Sequence, residues 1–373
     1  MADHDTPARV GARAIASGTH IAAAQHALVA ICVPVRDERT LLPRLLDALE
    51  GQTWIDPVRV HACFYFDGCN DDGVDFVRAR AAGMACRTVI EVGARSDEPN
   101  AGRARAAAMT LGQACLADVA DAVLLTTDAD SVPHPDWIAS ALRALRAADV
   151  VAGRIVREGG VQDRAQARIE AYFDRLYALR RAIDPVVWEP SGGHHFTSGA
   201  NLGFLATAYR ALGGFAHRTC GEDALIVDEA ARAGLRVRRD AQLVVETSSR
   251  RDGRAIGGLA SALASFDRDK ADGNKAAAVT VAHPADAAWQ WQAQARARAA
   301  FTAIERPSTR NALAAALALT PDHVLGVARD CPNAEAFAMR VAPTVPGGER
   351  RVSLHMAECA LTKLERSRQP CAA

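Results

Sequence analysis

The sequence predicts an α/β fold: a single, mostly parallel sheet flanked by helices, continued by a helical C-terminal extension. Three observations carry this expectation. Short apolar runs rich in β-branched residues recur between Ala27 and Thr127, each closed by a polar stretch. Segments with apolar residues at helical spacing separate them, the alternation of parallel strands joined by crossover helices. From about residue 271 the chain is Ala-rich and helical in pattern, with breaks at Pro284, Pro307, Pro321 and Pro332.

Residues 1–26 read as a loose leader. The first strand, ALVAICVPV (27–35), stops at Arg36, Asp37 and Glu38. TLLPRLLDALEGQ (40–52) is an amphipathic helix with Thr40 as N-cap and Gly51 as stop. VRVHACFYF (58–66) is a second strand, closed by the turn-rich DGCNDDG. A helix over 73–84, a third strand CRTVIEV (86–92) and an Ala-rich helix NAGRARAAAMTLGQACLA (100–117) lead to AVLLTT (122–127) and Asp128-Ala129-Asp130. Beyond Ala148 come a strand DVVAGRIVRE and a long helix, 161–183, carrying Tyr172, Phe173, Leu176 and Tyr177. A polar loop follows (184–201), then a short helix LATAYRALGGF, a helix GEDALIVDEAARAGL that opens on acids, and a strand RVRRDAQLVVET. There is no internal repeat.

The 373 residues, 49% hydrophobic and 24% charged, suffice for one large domain plus a smaller one, or for one elaborated α/β domain. A formal net charge of +0 argues against a general polyanion binder, so nucleic acid is not an expected partner. Nine cysteines, without CxxC pairs and without a secretory signal, fit a reducing cytosol; Cys32 and Cys63 lie in apolar runs and read as buried thiols. Nowhere do 18 consecutive apolar residues occur, so no transmembrane segment is expected and the reading is cytoplasmic.

Three polar clusters fall at the carboxyl ends of successive strands, where open α/β sheets bind ligands. They are Arg36-Asp37-Glu38, Asp67-Gly68 and Asp128-Ala129-Asp130. Taken singly they read as a solvated helix start, a turn and a wet loop; their coincidence points to a site. Asp37, Glu38 and Asp67 can accept hydrogen bonds from a base or ribose, and Gly68 permits close backbone approach. If strand geometry persists to Asp130, residues i and i+2 point one way and two carboxylates converge, which suits a hard cation such as Mn2+ or Mg2+. Glu222 and Asp223 open a helix, where acids complement the dipole. Arg250, Arg251 and Arg254 follow the last strand and can neutralise a phosphate leaving group. His194 and His195 lie in WEPSGGHHF, read as a mobile polar loop that could also serve a metal or acceptor. Trp289 and Trp291 do not share a helix face, so one is expected buried and the other exposed, a candidate partner surface.

The ordered set VPVRDE, FDGCND, NAGRARAAA, DAD, SGAN and GED, over roughly residues 27–255, resembles the family 2 glycosyltransferases of the GT-A fold. The resemblance implies a Rossmann-like sheet, an enzyme using a nucleoside-diphosphate sugar (UDP- or GDP-linked), and inversion at the anomeric carbon. Pro34, Val35, Asp37 and Glu38 match the first nucleotide-binding loop, with Asp37 in place of the more usual asparagine. Asp67 matches the second aspartate of the usual DDGS stretch, where Phe66 replaces the first aspartate and Cys69 the serine. Asp128 and Asp130 match the DXD motif, Asp130 as direct metal ligand. Gly199, Ala200 and Asn201 resemble the acceptor-side loop that also meets the donor sugar. Asp223, of the pair with Glu222, matches the catalytic base.

The implied organisation is a leader (1–26), a glycosyltransferase domain (27–270, with a nucleotide-binding half to about 131 and an acceptor half beyond) and a helical extension (271–373), as a possible homo-oligomer. A dehydrogenase would need GxGxxG after the first strand, a nucleotidyltransferase a Gly-rich basic loop there, and a glycosidase two carboxylates flanking the bond with no need of metal and diphosphate. The alternative is a non-catalytic sugar-nucleotide-binding protein of the same fold.

Overall fold

A computed structural model describes residues 27–368 except 54–55, 96–99, 118, 120, 160–163, 191 and 250–279. Strands β1 (Val29–Val35), β2 (Val60–Asp67), β3 (Arg87–Gly93) and β4 (Val123–Thr126) alternate with helices α1 (Leu42–Glu50), α2 (Gly73–Ala81) and α3 (Ala101–Leu116). All four strands pair in parallel, in the order β3-β2-β1-β4. Because helices cover both faces, β1, β2 and β4 are buried almost throughout, which explains their unbroken apolar runs. Leu42, Leu45, Leu46 and Leu49 place one apolar stripe of α1 in this core, each worth about 1.5–3 kcal/mol when buried.

The remaining strands are β5 (Ser131–Pro133), β6 (Val150–Arg157), β7 (Leu202–Leu205) and β8 (Val237–Thr247). They extend the sheet as β4-β7-β6-β8-β5, with β7 antiparallel to both β4 and β6. β8 runs parallel to β6, and β5 antiparallel to β8. The order therefore reverses between β1 and β4, which sets a crevice beyond their carboxyl ends. Helices α4 (Trp137–Leu145), α5 (Arg164–Ile183), α6 (Ala206–Leu212) and α7 (Glu222–Arg232) pack around this half.

The described C-terminal region holds α8 (Pro284–Ala300), α9 (Pro307–Leu317), α10 (Pro321–Arg329), α11 (Ala334–Val341) and α12 (Leu354–Arg368). The prolines open α8, α9 and α10 at a position whose N–H has no helical partner. This region is not purely helical: β9 (Thr280–Ala282) and β10 (Arg351–Ser353) form an antiparallel ladder. Trp289 packs on the cluster of Ala293, Leu313 and Phe337, and Trp291 on the cluster of Tyr172, Val281 and Leu361. Each tryptophan thus serves its own small core, and neither forms the exposed partner surface expected from their spacing.

Three local expectations change. Leu41 rather than Thr40 is the N-cap of α1, and the Leu41 and Leu42 N–H groups donate to the Glu38 carbonyl. The strand ends at Thr126, and Ser131 N–H donates to the Asp128 carbonyl in a turn, so strand alternation does not reach Asp130. Helix α4 and the short strands β5 and β7 were not anticipated; the short strands take their place from neighbouring strands rather than from a long apolar run.

Candidate active site

The loops after β1 and β2 are tied to each other. Asp37 takes a left-handed conformation (φ 52°), and Gly68 another (φ 60°), so both chains turn sharply at the sheet edge. Arg36 donates to the Asp67 carboxylate at 2.8 Å, and Arg103 of α3 approaches its other oxygen at 3.8 Å. Asp67 is only 2% exposed, so these guanidiniums offset the cost of its burial. Asp37 Oδ1 accepts from Asn70 N–H at 2.6 Å, and the Cys69 thiol accepts from Asp37 N–H while donating to the Val35 carbonyl. Asp71 accepts from the N–H groups of Arg39 and Gly73. The ligand-type atoms of Asp37, Cys69 and Asp71 lie within 4.8 Å of one another. Loop hydrogen bonds engage all three, and burial pushes the Cys69 thiol up to about 11, which disfavours the thiolate a metal needs. This trio locks the two loops together. Pro34 and Val35 end β1 beneath it, and Glu38 is buried at the start of the turn into α1.

A second knot forms around Arg105, on α3. Asn100 caps this helix by accepting from Arg103 N–H at 2.8 Å. Gly102 sits so close to the Ala216 carbonyl that a Cβ there would overlap it. The Arg105 guanidinium reaches Asp128 at 2.8 Å, Glu222 at 3.3 Å, the Gly199 carbonyl at 2.8 Å and Thr126 Oγ1 at 3.0 Å. Burial alone would favour a neutral Arg105, but Asp128, Glu222 and Asp223 outweigh it and hold the guanidinium firmly charged. One cation therefore gathers the end of β4, the loop before β7 and the start of α7. A Cβ on Gly199 would overlap the guanidinium, so only glycine lets this backbone lie against it.

The sequence-derived residues fall around this knot with distinct environments. Asp128 is partly exposed, with one oxygen bound to Arg105. Asp130 stands at the far end of the same turn, and its carbonyl accepts from Ser248 N–H. Glu222 is 4% exposed, far more buried than dipole complementarity alone requires of a first-turn acid. Asp223 accepts from Gly199 N–H at 3.0 Å and from Ala224 N–H at 2.7 Å. Gly221, at φ 73°, begins α7 with no side-chain cap, leaving both acids in the first turn.

Asn201 is fully buried rather than offered at the acceptor face. Its amide donates to the Arg154 and Leu243 carbonyls and accepts from Trp137 Nε1. It spans the place where the β6–β8 register jumps from Gly153–Asp240 to Arg154–Val244. Ala200 is also buried, and its N–H donates to Ser198 Oγ. Both residues hold the loop from inside, leaving Gly199 as its member in contact with the knot.

The two histidines are packed rather than in a mobile loop. His195 stacks on Phe196, with ring centroids 4.1 Å apart, and bonds Asp174 at 2.8 Å. His194 is buried and accepts from Phe196 N–H, and burial pushes its pKa down to about 4. Arg250, Arg251 and Arg254 lie outside the described residues. The residue to which the sequence reading gave no role is Arg105, inside NAGRARAAA, a segment read as an Ala-rich helix and as one motif of the family resemblance. The available signal was a pair of arginines, Arg103 and Arg105, in the first turns of an otherwise alanine-rich helix.

The family model described as Glycosyl transferase family 2 matches residues 30–208. No curated protein matches the sequence at a significant level. Among solved structures, the chain is similar to the mannosyltransferase PcManGT from Pyrobaculum calidifontis in complex with GDP-Man and Mn2+, at 17% identity and a TM-score of 0.45, over 84% of this chain and 86% of that one. It is similar also to TarS from S. aureus in complex with UDP-GlcNAc, at 14% identity and a TM-score of 0.45, over 83% and 89% of the two chains. A third is glucosyl-3-phosphoglycerate synthase from Mycobacterium tuberculosis with Mn2+, UDP and glucosyl-3-phosphoglycerate, at 19% identity and a TM-score of 0.38, over 69% and 84%. Among the described residues, no helix is long and apolar enough to cross a membrane. The matched segment runs from β1 through the DAD turn and Arg105 to α6, ending before Glu222 and Asp223, and these residues form a glycosyltransferase family 2 domain.

Proposed function

We propose that the protein moves a sugar from a UDP- or GDP-linked donor to an acceptor hydroxyl, with inversion and with Mn2+ or Mg2+ at the donor diphosphate. The observation that carries the proposal is the Arg105 knot, which joins Asp128 to Glu222 and to the Gly199 loop that holds Asp223. Donor-side and acceptor-side carboxylates are thereby held on one cation.

In this reading Pro34, Val35, Asp37, Glu38 and Asp67 form the nucleotide end. Asp37 and Asp67 also lock the loops, so their contacts to base and ribose use lone pairs the locks leave over. Asp128 and Asp130 are hard oxygen donors on one turn, a donor set that fits a divalent cation whose other ligands are water and diphosphate oxygens. Such an ion would neutralise charge on the leaving diphosphate. Arg250 and Arg251 are proposed to assist there. Asp223 is the base. Two backbone N–H groups orient its carboxylate, and its remaining lone pairs can take the proton of the attacking hydroxyl. Glu222 is a positioning residue, because Arg105 and burial occupy it.

Asp223→Asn preserves shape and removes basicity. Turnover should fall by about 10²–10⁴-fold, while donor affinity changes by less than about threefold. Transfer is measured with UDP-glucose, UDP-GlcNAc and GDP-mannose as donors, and NMR of the product anomer reads inversion. Wild-type turnover in Asp223→Asn would remove Asp223 from the mechanism. Calorimetry of UDP and GDP with Mn2+ and with EDTA tests the metal, and Asp130→Ala should abolish most of the difference. Equal affinities with Mn2+ and EDTA in the wild type would refute a metal-bridged diphosphate.

A further inference from the structure

A cavity of about 260 Å³ lies between the carboxyl end of α5, α7, β8, α8 and α11. Four guanidiniums line it: Arg180, Arg181, Arg239 and Arg298. Three buried carboxylates face them. Arg181 and Arg239 close on Glu189, and Arg298 closes on both Asp184 and Glu335. A fourth acid in the wall, Asp228, is bound by Arg232 on its own helix at 2.6 Å and is half exposed. Arg180 joins none of these pairs. Its Nε and that of Arg181 are buried without a hydrogen-bond partner, and the Arg181 side chain is only 9% exposed.

The charge balance is thus four cations to three enclosed anions. Burial, and then the nearby Arg180, push the Arg239 pKa below the usual guanidinium value. Burial pushes the carboxyls of Asp184 and Glu335 up, despite Arg298. The carboxyl shifts favour less negative charge at the wall, and the Arg239 shift less positive charge. The space also exceeds what packing alone leaves: one water in the liquid takes about 30 Å³.

The cavity adjoins the proposed base. Thr197 and Ala224 line it, and these residues flank the Gly199 and Asp223 that are joined by a hydrogen bond. Arg239 donates to Thr197 Oγ1 at 3.3 Å, so the cluster is tied to the loop that orients Asp223. We propose that this cavity binds an anionic group, phosphate or carboxylate, of the sugar acceptor. The proposal rests on the donor–acceptor reading given above and adds the chemical class of the acceptor to it. The Nε–H groups of Arg180 and Arg181 and one oxygen of Asp184 lack a partner, so the ion pairs alone do not satisfy the cluster.

The test uses the full chain with Mn2+ and saturating UDP or GDP, so that the donor site is filled. Calorimetric titration with inorganic phosphate, glycerol phosphate, glycerate and glycerol should show binding of the anions and none of glycerol. The glycerol phosphate and glycerate arms separate phosphate from carboxylate. Arg180→Met, which breaks none of the pairs above, should weaken anion binding at least tenfold and leave nucleotide affinity unchanged. Glu335→Gln removes an acid and should tighten it severalfold. No anion binding, or binding indifferent to Arg180→Met, overturns the site. Anion binding that does not raise sugar transfer to glycerol phosphate or glycerate over glycerol overturns the acceptor assignment. Nucleotide binding without anion binding sinks this inference alone; anion binding at Arg180 without any UDP or GDP binding sinks the donor reading alone.

Discussion

Replacing Arg105 by methionine removes the cation on which the knot depends while nearly keeping its volume. The consequence can be sized from its partners. Glu222 and Arg105 have side chains 6% and 7% exposed at 3.3 Å, so the loss leaves a buried carboxylate with no compensating charge. Stranding one partner of such a pair typically costs about 3–5 kcal/mol. Asp128 is about a third exposed and is rehydrated, so it adds little. The Gly199 carbonyl and Thr126 hydroxyl lose a charged donor, at about 1.5–3 kcal/mol per such hydrogen bond before water replaces it. A loss of about 4 kcal/mol is a large part of a domain's usual margin of about 5–15 kcal/mol. Urea unfolding followed by circular dichroism measures it, in a cycle with Glu222→Gln and the double variant. The double variant should be about 2 kcal/mol more stable than the sum of the singles, because it carries no stranded charge. Should Arg105→Met not fold, Arg105→Lys, which keeps charge but loses the fork, serves as the milder arm. An Arg105→Met cost below about 1 kcal/mol, or additive singles, would refute the knot as the organiser of the site.

Gly199→Ala pushes a Cβ into the Arg105 guanidinium and should cost about 1–3 kcal/mol, whereas Gly192→Ala meets nothing within 4 Å and should be neutral. Thermal unfolding of the two variants checks this, and equal midpoints would contradict it. His194 is held neutral by burial, with its pKa lowered from 6.5 to about 4, so the unfolded chain binds the proton more readily between those values. Stability should therefore fall as pH drops from 6.5 to about 4, with His194 contributing up to about 3 kcal/mol of the loss. His194→Asn can still accept from the Phe196 N–H and should show a flatter profile in pH-dependent urea melts; parallel profiles would exclude the imidazole as the cause.

The parallel half of the sheet and its helices were legible in the sequence, because strands buried on both faces read as continuous apolar runs and helices as a periodic stripe. So were the strand-end clusters at Asp37, Asp67 and Asp128, since connections after parallel strands must gather at one edge of the sheet. The local pattern could not supply β5 and β7, three and four residues long, which exist by pairing with β8, β4 and β6. Nor could it distinguish a carboxylate at the surface from one under it. Glu222 and Asp223 are neighbours in the chain, yet one turns into the protein onto Arg105 and the other bonds the Gly199 backbone. Asn201 spends its amide inside the sheet, while Gly199, two residues earlier, lies against the guanidinium. The partners that decide these roles lie 24 to 117 positions away. Residue type and spacing thus determine which elements form and which edge collects polar groups. Which of those groups are bound, buried or left to act is decided only when distant segments close on one cation.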